Sequence, residues 1–141
     1  MKATRLVTVL LAVIGVAAAV FLKTNSWTVS EIIPGIETVN EVLVVDRLNV
    51  YPDTRQEYMD DGQSAAFLSV VCDMELQFEK KSNTFAYEND LPAYDLFLSG
   101  AEGTLGAIFV SGNQFHYDNT LYTMTETDAA ALNKVLASCF S

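Results

Sequence analysis

His116 is the only histidine in the chain, so any Ser-His-Asp or Cys-His arrangement has to be built on it. Its QFHY context places it on a strand, pointing away from Phe115 and Tyr117 and onto the face shared with Phe109 and Leu121. Asp95 can fall on that same face, which makes Asp95 and His116 the first pair to test for proton-transfer chemistry. Cys72 and Cys139 are the only cysteines. An even count permits a disulfide in an oxidising compartment, and closing a loop of about 67 residues would contribute roughly 4 kcal/mol if unstrained. Both also sit on apolar stripes, where a free cysteine behaves as a small core residue rather than as a nucleophile. One histidine and two distant cysteines do not assemble a structural zinc site.

Asp53, Glu57, Asp60 and Asp61 cluster around one turn. Calcium takes several oxygen ligands from such a segment, but the spacing departs from the D-x-[DN]-x-[DN]-G loop, and a solvated acidic loop is the ordinary reading. Carboxylates such as Asp95 or the Asp60/Asp61 pair could serve a hydrolase, and paired carboxylates would need a cleft in which to converge. Trp27, Tyr51, Tyr58, Tyr87 and Tyr94 could supply an aromatic binding surface. The stretch KKSNTFAYENDLP over 80–92 shows at most a short TFAY strand. Its residues Tyr87, Glu88, Asn89 and Asp90 form the expected recognition loop. The sequence carries no recognisable cofactor-binding signature.

The elements that must position these residues are clearest in the C-terminal third. Glycine, asparagine and aspartate turns at Gly100–Gly103, Gly112-Asn113 and Asp118-Asn119 separate four strand-like runs, a meander of antiparallel strands. The Gly112-Asn113 turn pairs Val110 with Phe115 and Ile108 with Tyr117, and the Asp118-Asn119 turn pairs Phe115 with Tyr122. Ile108, Val110, Phe115, Tyr117, Tyr122 and Met124 then share the core face. Continued without a break, this register would turn Leu96 and Leu98 outward, so it requires a bulge near Gly103 or Gly106. Thr125-Glu-Thr-Asp128 opens an amphipathic helix with Leu132, Val135, Leu136 and Cys139 along one stripe. Upstream, 42–51 reads as a strand, and 64–79 as a helix that gives way to a strand, with Ser64 as a candidate cap. The fold class is α+β: an antiparallel meander sheet with the C-terminal amphipathic helix packed on one face, plus an N-terminal hydrophobic helix.

That N-terminal helix is the run LVTVLLAVIGVAAAVFL at 6–22. Lys2 and Arg5 precede it and Lys23 closes it. A basic flank before an apolar stretch has the form of a secretory signal. Ala17 and Ala19 offer a cut before Val20. Left intact, the 17 residues reach about 25 Å as a helix, the short end of what spans a bilayer. Either way the charge asymmetry puts the remainder outside. Residues 1–23 are thus a signal anchor or signal peptide, 24–40 a linker, and 41–141 an extracytoplasmic domain. Beyond residue 23, five basic side chains (Arg47, Arg55, Lys80, Lys81 and Lys134) stand against all 18 acidic ones. Such a surface repels phosphate backbones and anionic headgroups, so nucleic acid is excluded as a partner.

The layout of strand, AAFLSVV helix, Leu91-Pro92 loop, the YDLFLS, GAIFV, FHYDN and LYTM strands and the closing helix resembles small extracytoplasmic α+β domains of Gram-positive bacteria whose activity is uncharacterised. The resemblance covers about residues 42–140 and implies an envelope-facing, non-enzymatic module, with no functional residue to carry over. The combined expectation is a membrane-anchored or secreted acidic binding or regulatory module that engages a protein or peptide at the cell envelope. The alternatives are an envelope-directed hydrolase using carboxylates and a calcium-dependent adhesion module.

Overall fold

The computed structural model describes residues 25–47, 55–85 and 91–141. The expected N-terminal hydrophobic helix and export segment lie outside the described residues, as do Tyr51, Asp53 and the loop Tyr87, Glu88, Asn89 and Asp90. Among the described residues no helix is long and apolar enough to cross a membrane.

The chain folds as α+β, with eight antiparallel strands in one sheet and helices on one of its faces. The strands are β1 (Ser26–Thr28), β2 (Val39–Asp46), β3 (Arg55–Tyr58), β4 (Glu75–Lys81), β5 (Ala93–Gly100), β6 (Gly103–Ser111), β7 (Gln114–Tyr117) and β8 (Thr120–Thr123). Their order across the sheet is β1-β4-β8-β7-β6-β5-β2-β3. The central meander has the expected register: Val110 pairs with Phe115, Ile108 with Tyr117, and Phe115 with Tyr122. Asp118 and Asn119 both adopt positive φ, the backbone that a two-residue hairpin demands.

The expected bulge is present. Leu98 pairs with Gly106 and Ser99 with Thr104, leaving Leu105 as the extra residue. Gly106 takes φ +122°, and a Cβ there would meet the Tyr117 ring at 3.2 Å, so glycine alone fits. The Tyr117 hydroxyl donates to the Leu105 carbonyl at 2.9 Å and ties the bulge down. The consequence is that Leu96 and Leu98 point into the core and are fully buried.

Three helices cover the core face. α1 (Val29–Ile32) starts at Thr28, whose hydroxyl accepts from the Glu31 N–H while the Glu31 carboxylate accepts from the Thr28 N–H. α2 (Asp61–Cys72) starts at Asp60, not Ser64. The Asp60 carboxylate accepts from the Gln63 N–H at 2.7 Å, and the Gln63 side chain returns the bond. Aspartate here satisfies an otherwise unpaired N–H and suits the positive end of the helix dipole. α3 (Glu126–Ser138) starts at Thr125, as expected, and buries Ala129, Leu132 and Leu136. α2 and α3 pack on each other and, through Phe67, Val71, Leu132 and Leu136, on Val42, Val44, Leu96, Ile108, Val110 and Phe115.

Two expectations need correction. The described part of the expected 24–40 linker, residues 25–40, is folded into the domain: Ser26–Thr28 is an edge strand on β4, Val29, Ile33 and Ile36 are fully buried, and Val39 begins β2. The segment's apolar residues are too few and too broken by Pro34-Gly35 to show periodicity, yet each finds a place under the helices. Cys72 and Cys139 form no disulfide. Gln63 Nε2 donates to the Ser138 carbonyl at 3.2 Å, which sets Cys139 beside the start of α2, whereas Cys72 ends it. Nine residues of helix rise about 13 Å, roughly twice the reach of a disulfide between Cα atoms.

Candidate functional site: the outer face of the sheet

Among the described residues, strand alternation leaves one face of the sheet without helices, and the chemistry-bearing residues converge there. A row in direct cross-strand register runs Val45, Asp95, Phe109, His116, Leu121. The sequence reading that put His116, Phe109, Leu121 and Asp95 on one face is correct. Asp95 and His116 are not, however, a dyad. One whole strand carrying Phe109 lies between them, a separation of roughly 10 Å at ordinary strand spacing.

Each of the two has another partner. Asp95 is 1 % exposed and its carboxylate binds the Arg47 guanidinium at 2.5 Å, with both Nε and one terminal nitrogen within reach. Arg47 is anchored at the end of β2, where its N–H donates to the Ala93 carbonyl. His116, equally buried, uses Nε2 against the Ser82 carbonyl at 2.7 Å. A carbonyl only accepts, so the proton sits on Nε2 and the ring is a donor there. Among the described residues Nδ1 has no hydrogen-bond partner. This bond fastens residues 82–85, which fold back from β4 so that Phe85 stacks on Phe109 and tilts against His116. The Ser82 N–H donates to the Asn119 carbonyl, and Lys81 Nζ to Thr120 Oγ1. His116 thus clamps the segment that leads into residues 87–90.

Beside this row runs a second one that is open. Tyr58, Leu43, Phe97 and Ala107 are in register across β3, β2, β5 and β6. Tyr58 is 60 % exposed and Phe97 40 %. Phe85 and Phe97 were missed as candidates. The signal for Phe97 was present: once a bulge turns Leu96 and Leu98 inward, the aromatic between them must face outward.

The remaining candidates lie elsewhere. Asp60 spends its carboxylate on the α2 cap, and Asp61 is exposed in the first turn of that helix. Asp95 is spent on Arg47 and Asp60 on the helix cap, so neither carboxylate is held ready for a reacting group. Among the described residues no three acidic, histidine or cysteine side chains form a metal-binding group. Tyr94 is buried on the core side and stacks on Phe140, and the Arg55 guanidinium covers the same ring at 5.0 Å while binding Asp46 at 2.9 Å. Trp27 is exposed on β1. Burial pushes both thiols above their ordinary pKa, aided by Glu37 and Asp73 at Cys72 and by Asp60 and Glu57 at Cys139, which withholds the thiolate that nucleophilic chemistry uses. Two of the depressions among the described residues lie away from the outer face. One of about 430 Å³ lies between the Pro34-Gly35 turn and the β5–β6 loop. The other, of about 350 Å³, lies between α2 and α3, with Ala66 and Val135 in its wall.

No protein-family model matches the chain, and no curated protein or solved structure shows significant similarity to it.

Proposed function

We propose that the chain is an acidic binding or regulatory module, exported by its N-terminal segment and held at or released from the membrane, that engages a protein or peptide partner through the outer face of its sheet. The observation that carries this reading is the open row of Tyr58, Leu43 and Phe97 beside a face otherwise closed by Phe85 and the Arg47–Asp95 pair. Large aromatic side chains displayed in register on a rigid sheet are what recognition surfaces use, because they bury much area at little entropic cost. His116 and Asp95, the two groups best suited to proton transfer, are instead tied into packing contacts, which favours binding over catalysis.

The test is crosslinking in cells that carry the intact chain, with a photoreactive group placed at Gln56, exposed on the same face. The same experiment with Tyr58→Asp/Phe97→Asp, in a chain shown to remain folded, is the control. A specific partner that disappears in the double variant supports the reading; a partner captured equally by both overturns it. N-terminal sequencing of the recovered chain reads whether the segment is cut before Val20.

A further inference from the structure

Among the described residues, the outermost strand beside the aromatic row has an edge with no neighbouring strand, and its chemistry specifies what can pair with it. Among the described residues β3 pairs with β2 alone, at the end of the sheet, and all four of its residues are exposed. The Met59 N–H donates to the Val42 carbonyl. By the alternation of an antiparallel ladder, Glu57 with Val44 and Arg55 with Asp46 are then the other hydrogen-bonded pairs. Gln56 and Tyr58, opposite Val45 and Leu43, therefore direct their N–H and C=O groups away from the sheet. Edges of this kind template strand addition unless short length, charged side chains, proline, a bulge or a covering segment blocks them, and of these β3 has a length of four residues and the charges of Arg55 and Glu57. β3 carries neither lysine nor proline and pairs with β2 in unbroken register. The opposite edge, β1, is three residues long and runs straight into α1.

The side chains around β3 say what would fit. Gln56 and Tyr58 share the outer face with Leu43 and Phe97, so an added strand would lay an apolar side chain over Tyr58 at every second position. Glu57 lies on the alternate face, and Asp60 and Asp61 follow within a few residues. Among the described residues, Arg55 already has its guanidinium on Asp46 and the Phe140 ring, Arg47 is paired with Asp95, and Lys134 shares a depression with Asp60. The edge thus offers negative charge in excess. A second copy of this chain would bring the same carboxylates against themselves, in a chain of net charge −10. Repulsion on that scale disfavours self-pairing and favours lysine and arginine.

We infer that β3 is a strand-addition site for an extended basic segment of another protein, with apolar and Lys/Arg residues alternating so that the apolar ones cover Tyr58 and the basic ones meet Glu57. This deepens the reading of the chain as a binding module and rests on it. Main-chain bonds to Gln56 and Tyr58 would supply the affinity and the period-two side chains the selectivity.

The test uses the intact chain in a non-ionic detergent with capped Val-Lys-Val-Lys-Val-Lys as probe, read by amide hydrogen exchange. The expected result is at least ten-fold slower exchange at the Gln56 and Tyr58 amides. A probe N-methylated at alternate residues should give no slowing. Gln56→Pro removes an outward N–H without touching the bonds to β2, and should weaken probe binding at least ten-fold. Should that variant not fold, Glu57→Lys serves instead, losing the lysine probe and gaining its Val-Glu counterpart. Protection located at β1, or the absence of protection, overturns the inference. So does slow exchange that rises with protein concentration and needs no probe, which would mean self-pairing. Equal binding of the methylated probe, with changes centred on Phe97, would overturn strand addition while leaving the binding-module reading in place. Retention of a crosslinked partner by Tyr58→Asp/Phe97→Asp would sink that broader reading instead.

Discussion

Asp95 and His116 face the same side of the sheet from β5 and β7, with Phe109 of β6 between them. Neither can pass a proton to the other across that ring. Each is spent on holding a nearby piece of chain: Asp95 holds Arg47 at the end of β2, and His116 holds Ser82 after β4. Their roles are therefore separable by mutation.

Arg47→Ala leaves a buried carboxylate without its guanidinium. Losing one member of a buried pair costs up to about 5 kcal/mol, but Arg47 is 43 % exposed, and water entering the gap reduces this to about 2 kcal/mol. Arg47→Ala/Asp95→Asn should recover at least about 1 kcal/mol, because the charge left stranded is gone. Urea titrations of the three chains measure both quantities, and an additive double variant would contradict the pairing.

His116→Ala removes a buried ring and the bond to Ser82, at a cost of about 2–3 kcal/mol. Phe85 should become more exposed and residues 82–85 should exchange faster. Under the proposed function, partner capture by the folded variant is unchanged. Loss of a measurable turnover in this variant would remove that function altogether.

Gly106→Ala places a Cβ against Tyr117 at a φ of +122° and should destabilise by about 2 kcal/mol. Tyr117→Phe loses only the hydroxyl bond to Leu105 and should cost about 1 kcal/mol. Thermal melts rank the two; the reverse order would mean that the bulge is not what constrains this hairpin.

The sequence made the C-terminal meander legible because its turns are written in residues that tolerate positive φ. Two tight turns fix registers, registers fix faces, and a face that came out wrong announced the bulge at Leu105. The Thr125 cap and α3 were legible for the same local reason. β3 was hidden because Arg55, Gln56, Glu57 and Tyr58 are all exposed, so no alternation of apolar and polar residues marks them. The short elements at 26–38 were hidden because their burial depends on α2 and the sheet. The outer face was half legible: parity placed His116, Phe109 and Asp95 together, but nothing local could show that Arg47 and Ser82 would claim them.

The alkaline limb of stability follows from burial. Desolvation raises the pKa of Tyr94, Tyr117 and Tyr122 above the ordinary 10.0. Nearby carboxylates add to this, Asp46 at Tyr94 and Asp118 at the other two, partly countered by Arg55 at Tyr94 and by a Thr120 hydrogen bond at Tyr122. The unfolded chain ionises first, so stability is intact below pH 10.0 and declines as pH rises past it towards the folded-state values. The two thiols act in the same direction from 9.0. Denaturant midpoints should be flat from neutrality to about pH 9 and fall beyond. Phenylalanine in place of Tyr94 should flatten that fall; an unchanged slope would count against the burial argument.

α2 connects β3 at one margin of the sheet to β4, second from the other, a crossing of roughly 29 Å at ordinary strand spacing. Its twelve residues rise about 18 Å, and the short connections at either end supply the rest. A pull on β3 would be transmitted as compression or tension along Asp61–Cys72 into β4, without having to unzip the six strand junctions between. The two margins of the sheet are thus joined through the chain itself as well as through the hydrogen-bonded ladders between them.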